Sequence, residues 1–332
     1  MKKEYNYDLS ACNTFRMKAE CACFVEYESV RELEALDWDS LPQPVRHIGG
    51  GSNLLLTGDF PGTVLHSKID YVKYVDMGFD EVPVMVGAGV EWDRFVENSC
   101  RHGLWGAENL SMIPGEVGAA AVQNIGAYGV EVKDIISGVV CYDMIERKKV
   151  KFTTPECGYG YRDSMFKRAG GRYIVTSVLF RLSRKPSPKL SYKGLEGLEP
   201  AGPMDVREAV VAIRSSKLPD PAVLGSAGSF FKNPVIGREQ YSALLRRTGG
   251  VEPPHHDLPG GAVKLTAAWL IDQCGFKGAT EGGAAVYEKQ PLVIVNATGD
   301  ASAQDVINLE NRIIEGVRDR FGVTLSPEVE HI

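Results

Sequence analysis

Apolar positions recur along the chain with two periods, and between them they predict most of the elements. Period-two alternation predicts strands at 22–27 and 173–182; strands are also read at 45–48 and 84–89, as a buried run at 292–295, as a β pair at 135–141 and 149–152, and as a short last strand at 327–330. Helical spacing follows the capping box Ser29-x-x-Glu32, with Val30, Leu33 and Leu36 inward. It recurs at 91–102, where Trp92, Phe95, Val96 and Ser99 face one side and Gly103 is the stop. Further helices are predicted from Asp205, with Val206, Ala209, Val210 and Ile213 in line, and at 241–247 and 264–274. The last helix, 302–320, opens on Ser302-x-x-Asp305 and stops at Gly322, with Val306, Ile313, Val317 and Phe321 on one face.

Composition narrows the class. With 332 residues, 44% of them hydrophobic, the chain exceeds one ordinary core and predicts two or three domains of a soluble protein. A net charge of -6 without clustered Lys/Arg argues against nucleic acid or an anionic membrane surface as partner. The seven cysteines include no Cys-x-x-Cys pair and no zinc spacing, so reduced thiols in a cytoplasm are expected. No signal-like apolar run opens the chain and none reaches the ~18 residues of a membrane span.

Several stretches carry candidate chemistry. Gly49-Gly50-Gly51-Ser52-Asn53 runs between two apolar segments and reads as the loop of a β-α-β start. Leu54 occupies the place of a third glycine and no Gly-Lys-Ser/Thr follows, so neither a dinucleotide fingerprint nor a P-loop is present. Its amides could still hold a pyrophosphate, or the turn could be a ligand-free connection. Residues 84–103 read as a second such start, with Gly87-Ala88-Gly89 as its turn.

In 108–129, thirteen of twenty-two residues are Gly, Ala, Ser, Asn, Pro or Gln, which suits backbone laid along a flat ligand or a small-residue helix packed tightly on a sheet. Arg162 beside Asp163 is either a surface pair or a guanidinium aimed into a cleft. Residues 184–203, with Tyr192, read as a boundary or a flap. Arg214 and Lys217 close a helix, where they cap its dipole or bind phosphate. The adjacent His255 and His256 have no third ligand, so no metal is assigned. Gly225-Ser226-Ala227-Gly228-Ser229-Phe230-Phe231-Lys232-Asn233-Pro234 reads as a catalytic loop presenting Ser229, or as a turn feeding two aromatics into a core.

Eight of these motifs in order resemble the UDP-N-acetylenolpyruvoylglucosamine reductase family, in its longer form with the tyrosine loop. They are Asn13-Thr14-Phe15, Gly50-Gly51-Ser52-Asn53-Leu54, Ile113-Pro114-Gly115 with Gln123-Asn124-Ile125-Gly126-Ala127-Tyr128-Gly129, Tyr161-Arg162-Asp163-Ser164, Lys217-Leu218-Pro219-Asp220-Pro221, Gly228 to Pro234, Trp269-Leu270-Ile271-Asp272 and Pro327-Glu328-Val329. The resemblance implies an α+β fold: an FAD-binding domain of the vanillyl-alcohol-oxidase (PCMH) type at 1–204, in two subdomains of about 1–66 and 67–204. A smaller α/β substrate-binding domain at 205–322 and a C-terminal strand at 323–332 would follow.

It also implies a cytoplasmic monomer of peptidoglycan precursor synthesis. NADPH would reduce non-covalent FAD, and the enolpyruvyl ether of a UDP-sugar would then accept hydride at C3 from flavin N5 and a proton at C2. FAD would be held by Gly49, Gly50, Gly51, Ser52, Asn53 and Leu54, by Ile113, Pro114, Gly115, Val117 and Gly118, and by Gln123, Asn124, Gly126, Ala127 and Tyr128. Ser229 would give the proton, Arg162 would steady the carboxylate and Glu328 would orient the intermediate. Tyr161, Tyr192, Arg214, Lys217, Asn233 and Gln290 would hold the substrate.

Two other readings compete. An oxidase of the same fold calls for a histidine or cysteine placed for covalent flavin attachment, and none stands in such a place. A sugar-nucleotide-binding protein without redox activity would use the same residues only as contacts. A serine hydrolase is a weaker reading still, since Gly225 to Ser229 is not a Gly-x-Ser-x-Gly elbow.

Overall fold

A computed structural model describes residues 1–75 and 78–332. The chain forms two compact units. The first comprises Met1–Tyr7, Glu20–Gly50 and Phe60–Ser216, and the second Asp8–Ala19, Gly51–Asp59 and Lys217–Ile332.

The first unit holds two sheets. Strands Lys2–Asp8, Glu20–Tyr27, Phe60–Ser67 and Val45–Ile48 lie in that order, and the last three run parallel. The short helix Val30–Glu34, capped by the Ser29 side chain, lies in the crossover from Glu20–Tyr27 to Val45–Ile48, and Phe60–Ser67 fills the place between those two strands. The second sheet is antiparallel, in the order Lys148–Thr153, Ile136–Asp143, Tyr173–Ser183, Glu81–Gly87, Val72–Tyr74.

Helix Trp92–Arg101 buries Trp92 and Phe95 against Phe180 of the central strand, with ring centroids 4.6 Å apart for Phe95 and Phe180. Helix Val117–Gln123 covers the same sheet, and a methyl on its Gly118 would stand 2.9 Å from the Ala88 Cβ. The small-residue stretch is therefore partly a tightly packed helix, and its remaining residues turn on either side of it. A second core of Tyr27, Leu33, Trp38, Tyr142 and Ile174 joins the two sheets.

Helix Pro203–Lys217 packs Val206 and Val210 on Trp105 and Leu195, which places it in the first unit. The compact division thus falls after Ser216, twelve residues beyond the boundary expected at 204. Arg207 of this helix, 8% exposed, donates to both carboxylate oxygens of Asp93 at 2.6 and 2.8 Å. Burial opposes the Asp93 charge, but Arg207 outweighs it and holds the carboxyl below its ordinary range. Asp93 also accepts from the Met112 N–H at 2.5 Å, so the pair anchors the stretch leading into the glycine turn. Arg207→Ala is expected to cost about 2–4 kcal/mol, read as a lowered denaturation midpoint, because it strands a half-buried carboxylate. The double change Arg207→Met with Asp93→Leu should recover only part of that loss, because it also removes the acceptor of the Met112 N–H.

The second unit has a four-stranded antiparallel sheet, Gly225–Ser229, Val293–Asn296, Ala284–Val286, Thr280–Glu281. It also has a three-stranded one, Val235–Ile236, Val263–Leu265, His255–Asp257. The long helix Ala303–Phe321 is closed as its caps predict: Ser302 and Asp305 form a capping box and Gly322 takes φ 69°. Leu54–Leu55 pairs in parallel with Glu330–His331, which draws residues 51–59 into this unit.

Four expectations are corrected. No helix follows Gly49–Asn53, so this is not a β-α-β start; the apolar run after it finds its partner at the far end of the chain. The segment expected as a catalytic loop begins as strand Gly225–Ser229, because its small side chains let it lie beside Val293–Asn296. Lys264 belongs to strand Val263–Leu265, and the helix expected from it starts at Ala267 after Thr266. His255 and His256, expected in a loop, pair with Leu265 and Lys264.

Candidate active site

In the first unit the expected cofactor residues meet through backbone. A methyl built on Gly50 would sit 3.4 Å from Gly115 Cα, and one on Gly49 would sit 2.9 Å from Ala119 Cβ. The turn thus lies close on the 115–119 stretch, and at Gly49 a β-carbon would crowd Ala119.

Strain gathers around this contact. Of the seven non-glycine residues with positive φ among the described residues, Met112 (58°), Asn124 (47°), Tyr128 (49°) and Arg162 (53°) belong to the motif stretches. Such angles persist only where surrounding bonds enforce them. The Asn124 amide donates to Gly160 O at 2.7 Å, and its oxygen accepts from Lys133 N at 3.2 Å. Arg162 donates to Gly126 O at 2.6 Å and to Asn124 O at 3.4 Å, with its guanidinium 5.4 Å from the Tyr161 ring centroid. Asp163, its sequence neighbour, pairs with Arg168. Asn124, Gly126, Tyr161 and Arg162 therefore form one cluster.

A second cluster joins Tyr128, Tyr192 and Arg214. The two tyrosine rings meet edge to face at 4.9 Å. Burial pushes the Arg214 guanidinium down from its ordinary value and Tyr128 opposes that shift. Arg214 Nε is enclosed and makes no hydrogen bond among the described residues. An enclosed donor of this kind suits an anionic group. Asn109, which sequence reading missed, donates to Tyr128 O at 3.0 Å and to Lys189 O at 2.8 Å, tying the root of the Tyr192 segment to the cradle.

The second unit carries the expected proton donor. Ser229 is exposed at the end of its strand, after Gly228 at φ 72° and a register shift between Ser226 and Ser229. Such a bulge re-aims a side chain. Phe230 and Phe231, 0% and 1% exposed, pin the backbone beyond it. Phe230 O accepts from Glu328 N at 2.8 Å and Phe231 bridges Pro327, so Ser229 and Glu328 stand on adjoining backbones.

The Asn53 amide donates to Glu328 O at 3.0 Å, and Asn53 O accepts from Glu330 N at 3.0 Å. Asn53 and Leu54, expected at the cofactor, thereby also fix the segment bearing Glu328. Gly51, at φ 63°, packs on the Cys12 carbonyl. Asn233 Oδ1 accepts from Ala267 N at 2.9 Å at the start of helix Ala267–Gln273. Gln290 lies in the turn before strand Val293–Asn296, its N–H donating to Tyr287 O at 3.2 Å. Lys217 ends helix Pro203–Lys217 and is exposed. Arg162 belongs to the first unit, and Ser229 and Glu328 to the second.

Comparison with known proteins bears on both units. Residues 22–144 match a family model described as an FAD binding domain, and residues 220–332 match the C-terminal domain of UDP-N-acetylenolpyruvoylglucosamine reductase. A reductase of that name from Bacteroides fragilis is 49% identical over 335 residues, spanning 99% of this chain and 100% of the relative. The chain belongs to the UDP-N-acetylenolpyruvoylglucosamine reductase family.

The reductase of Chromobacterium violaceum is 46% identical, covering 97% of this chain and 96% of the relative. A crystal structure of the Thermus caldophilus enzyme superposes with a TM-score of 0.69 at 25% identity, covering 99% of this chain and 98% of that one. The protein is accordingly an FAD-dependent oxidoreductase of the expected α+β class. The close approach of Gly49 and Gly50 to the 115–119 stretch in the first unit fits the FAD-binding domain matched there. Among the described residues no helix is long and apolar enough to cross a membrane.

Proposed function

We propose that the chain converts the enolpyruvyl ether of UDP-N-acetylglucosamine to UDP-N-acetylmuramate in peptidoglycan precursor synthesis, with NADPH as electron donor and non-covalent FAD as carrier. The observation that carries this reading is likeness over the whole length of both units, at 49% identity, to a reductase of that name. The adjoining placement of Ser229 and Glu328 supports it further.

When bound, FAD supplies the two-electron redox chemistry through its isoalloxazine. Gly49, Gly50 and Gly115 would give it backbone to lie on, with Ser52, Ile113, Pro114, Val117, Gly118, Gln123 and Ala127 around them. Arg162, held in place by the carbonyls of Asn124 and Gly126, steadies the substrate carboxylate as negative charge gathers there. Ser229 passes its hydroxyl proton to C2. A neutral hydroxyl is a weak acid, so this step depends on placement, which the bulge and the two buried phenylalanines provide. Glu328 orients the intermediate.

Arg214 and Lys217 take the substrate pyrophosphate, and Tyr192 closes over the nucleotide. Tyr161, Asn233 and Gln290 complete the polar lining. The working form carried over from the family resemblance is a cytoplasmic monomer.

Purified protein is expected to be yellow, and with NADPH to convert the enolpyruvyl sugar nucleotide to a product heavier by two hydrogens, read by mass spectrometry. Protein that stays colourless after incubation with FAD, or substrate of unchanged mass, would overturn the reading.

A further inference from the structure

The parallel sheet of the first unit carries a charged row that the chemistry above does not use. His66 is the ladder partner of Glu26. Its Nδ1 lies 3.1 Å from Glu26 Oε1 and its Nε2 2.8 Å from Glu116 Oε1, and the side chain is 12% exposed. A carboxylate at each ring nitrogen requires both nitrogens to donate, and only the imidazolium does so.

Glu116 in turn lies against the glycine turn. A methyl built on Gly49 would stand 3.4 Å from Glu116 Oε2, and one on Gly50 3.9 Å from Glu116 Cγ. A carboxylate in that position has the wrong sign for a diphosphate.

We propose that His66 is a positioning residue for the flavin diphosphate: its positive charge, held between Glu26 and Glu116, offsets the carboxylate beside Gly49 and Gly50 and lets the dinucleotide bind there. The inference rests on the FAD reading of this turn.

Other charged groups face the ring from the elements around it. Lys68 lies 3.5 Å from Glu26. On strand Val45–Ile48, Ile48 pairs with His66, and Arg46 shares its face of the ladder. His47, on the opposite face, bonds the Tyr27 hydroxyl at 2.8 Å and is pushed down to about 3 by burial, so it stays neutral. Burial also works to lower the His66 value, as does Lys68, yet the hydrogen bond and charge of Glu116, then the bond to Glu26, outweigh them and raise it above the ordinary imidazole value.

The sign of the pH dependence follows. Below the raised His66 value the ring is charged and Glu116 is compensated. As the pH climbs through it, Glu116 is left bare beside the anionic ligand and affinity falls.

The test is FAD affinity of the flavin-free protein, from quenching of flavin fluorescence, between about pH 6 and about pH 9. Wild type should weaken about five- to tenfold across that span. His66→Gln, which keeps a hydrogen-bonding side chain without the charge, should bind at the lower pH as weakly as wild type at the higher, with a flat profile. Glu116→Gln should flatten the profile while keeping the tight affinity, and it decides the matter alone if His66→Gln does not fold. A pH dependence that survives in Glu116→Gln, or a His66→Gln protein that binds as tightly as wild type, overturns the proposal. A folded wild type that binds no FAD at any pH would instead overturn the FAD reading.

Discussion

Ser229→Ala is expected to leave flavin reduction by NADPH at its wild-type rate and to slow substrate-driven turnover by about a hundredfold to ten-thousandfold, the range for loss of a positioned general acid. The separation of the two half-reactions matters more than the size of the loss. Ser229 is exposed, and Phe230 and Phe231 rather than its hydroxyl hold the strand end, so removing one oxygen should leave the fold intact. Ser229→Cys, with a more acidic but larger group, should recover part of the rate. Equal slowing of both half-reactions would mean that the serine has a structural role only.

Arg162 gives the second large effect. Arg162→Lys should lower kcat by about a hundredfold to a thousandfold, as expected when a fixed donor to a developing oxyanion is lost. The lysine keeps the charge but cannot reach both Asn124 O and Gly126 O with a planar fork, so charge alone should not rescue the rate. Steady-state kinetics distinguish the alternatives. A change confined to KM would place Arg162 in ground-state binding and remove it from the catalytic step.

The helices were the most legible part of the fold, because their ends are local chemistry. Ser302 and Asp305 cap the long helix as their spacing predicts, and Gly103, Gly275 and Gly322 all adopt the positive φ of a helix stop. The strands were legible only where one face is buried. Lys2–Asp8 is an exposed edge of alternating polar residues, and its sequence carries no burial signal. Phe60–Ser67, for which no strand was expected, contains Pro61 and Gly62, two residues uncommon inside strands. Gly62 is required there because a side chain would collide with the Pro44 carbonyl.

The candidate site divides the same way. Ser229, Arg162 and Glu328 could be named because each stands in a recognisable motif. That Asn53 fixes the Glu328 segment could not be read, since the two are 275 residues apart. The Glu26, His66 and Glu116 row was hidden for the same reason: it joins two strands and a helix cap, and no local spacing signals it. Arg162 had two readings in sequence; the structure bonds its guanidinium to the carbonyls of Asn124 and Gly126 and pairs Asp163 with Arg168, and its catalytic role belongs to the proposal above.

The most direct test of the central claim is anaerobic stopped-flow absorbance of the bound flavin, mixed first with NADPH and then with the enolpyruvyl sugar nucleotide. Bleaching by NADPH, followed by recovery of the oxidised band in stoichiometric step with product, is the predicted result. A flavin that NADPH does not bleach, or a bleached flavin that the sugar nucleotide fails to reoxidise, would contradict it.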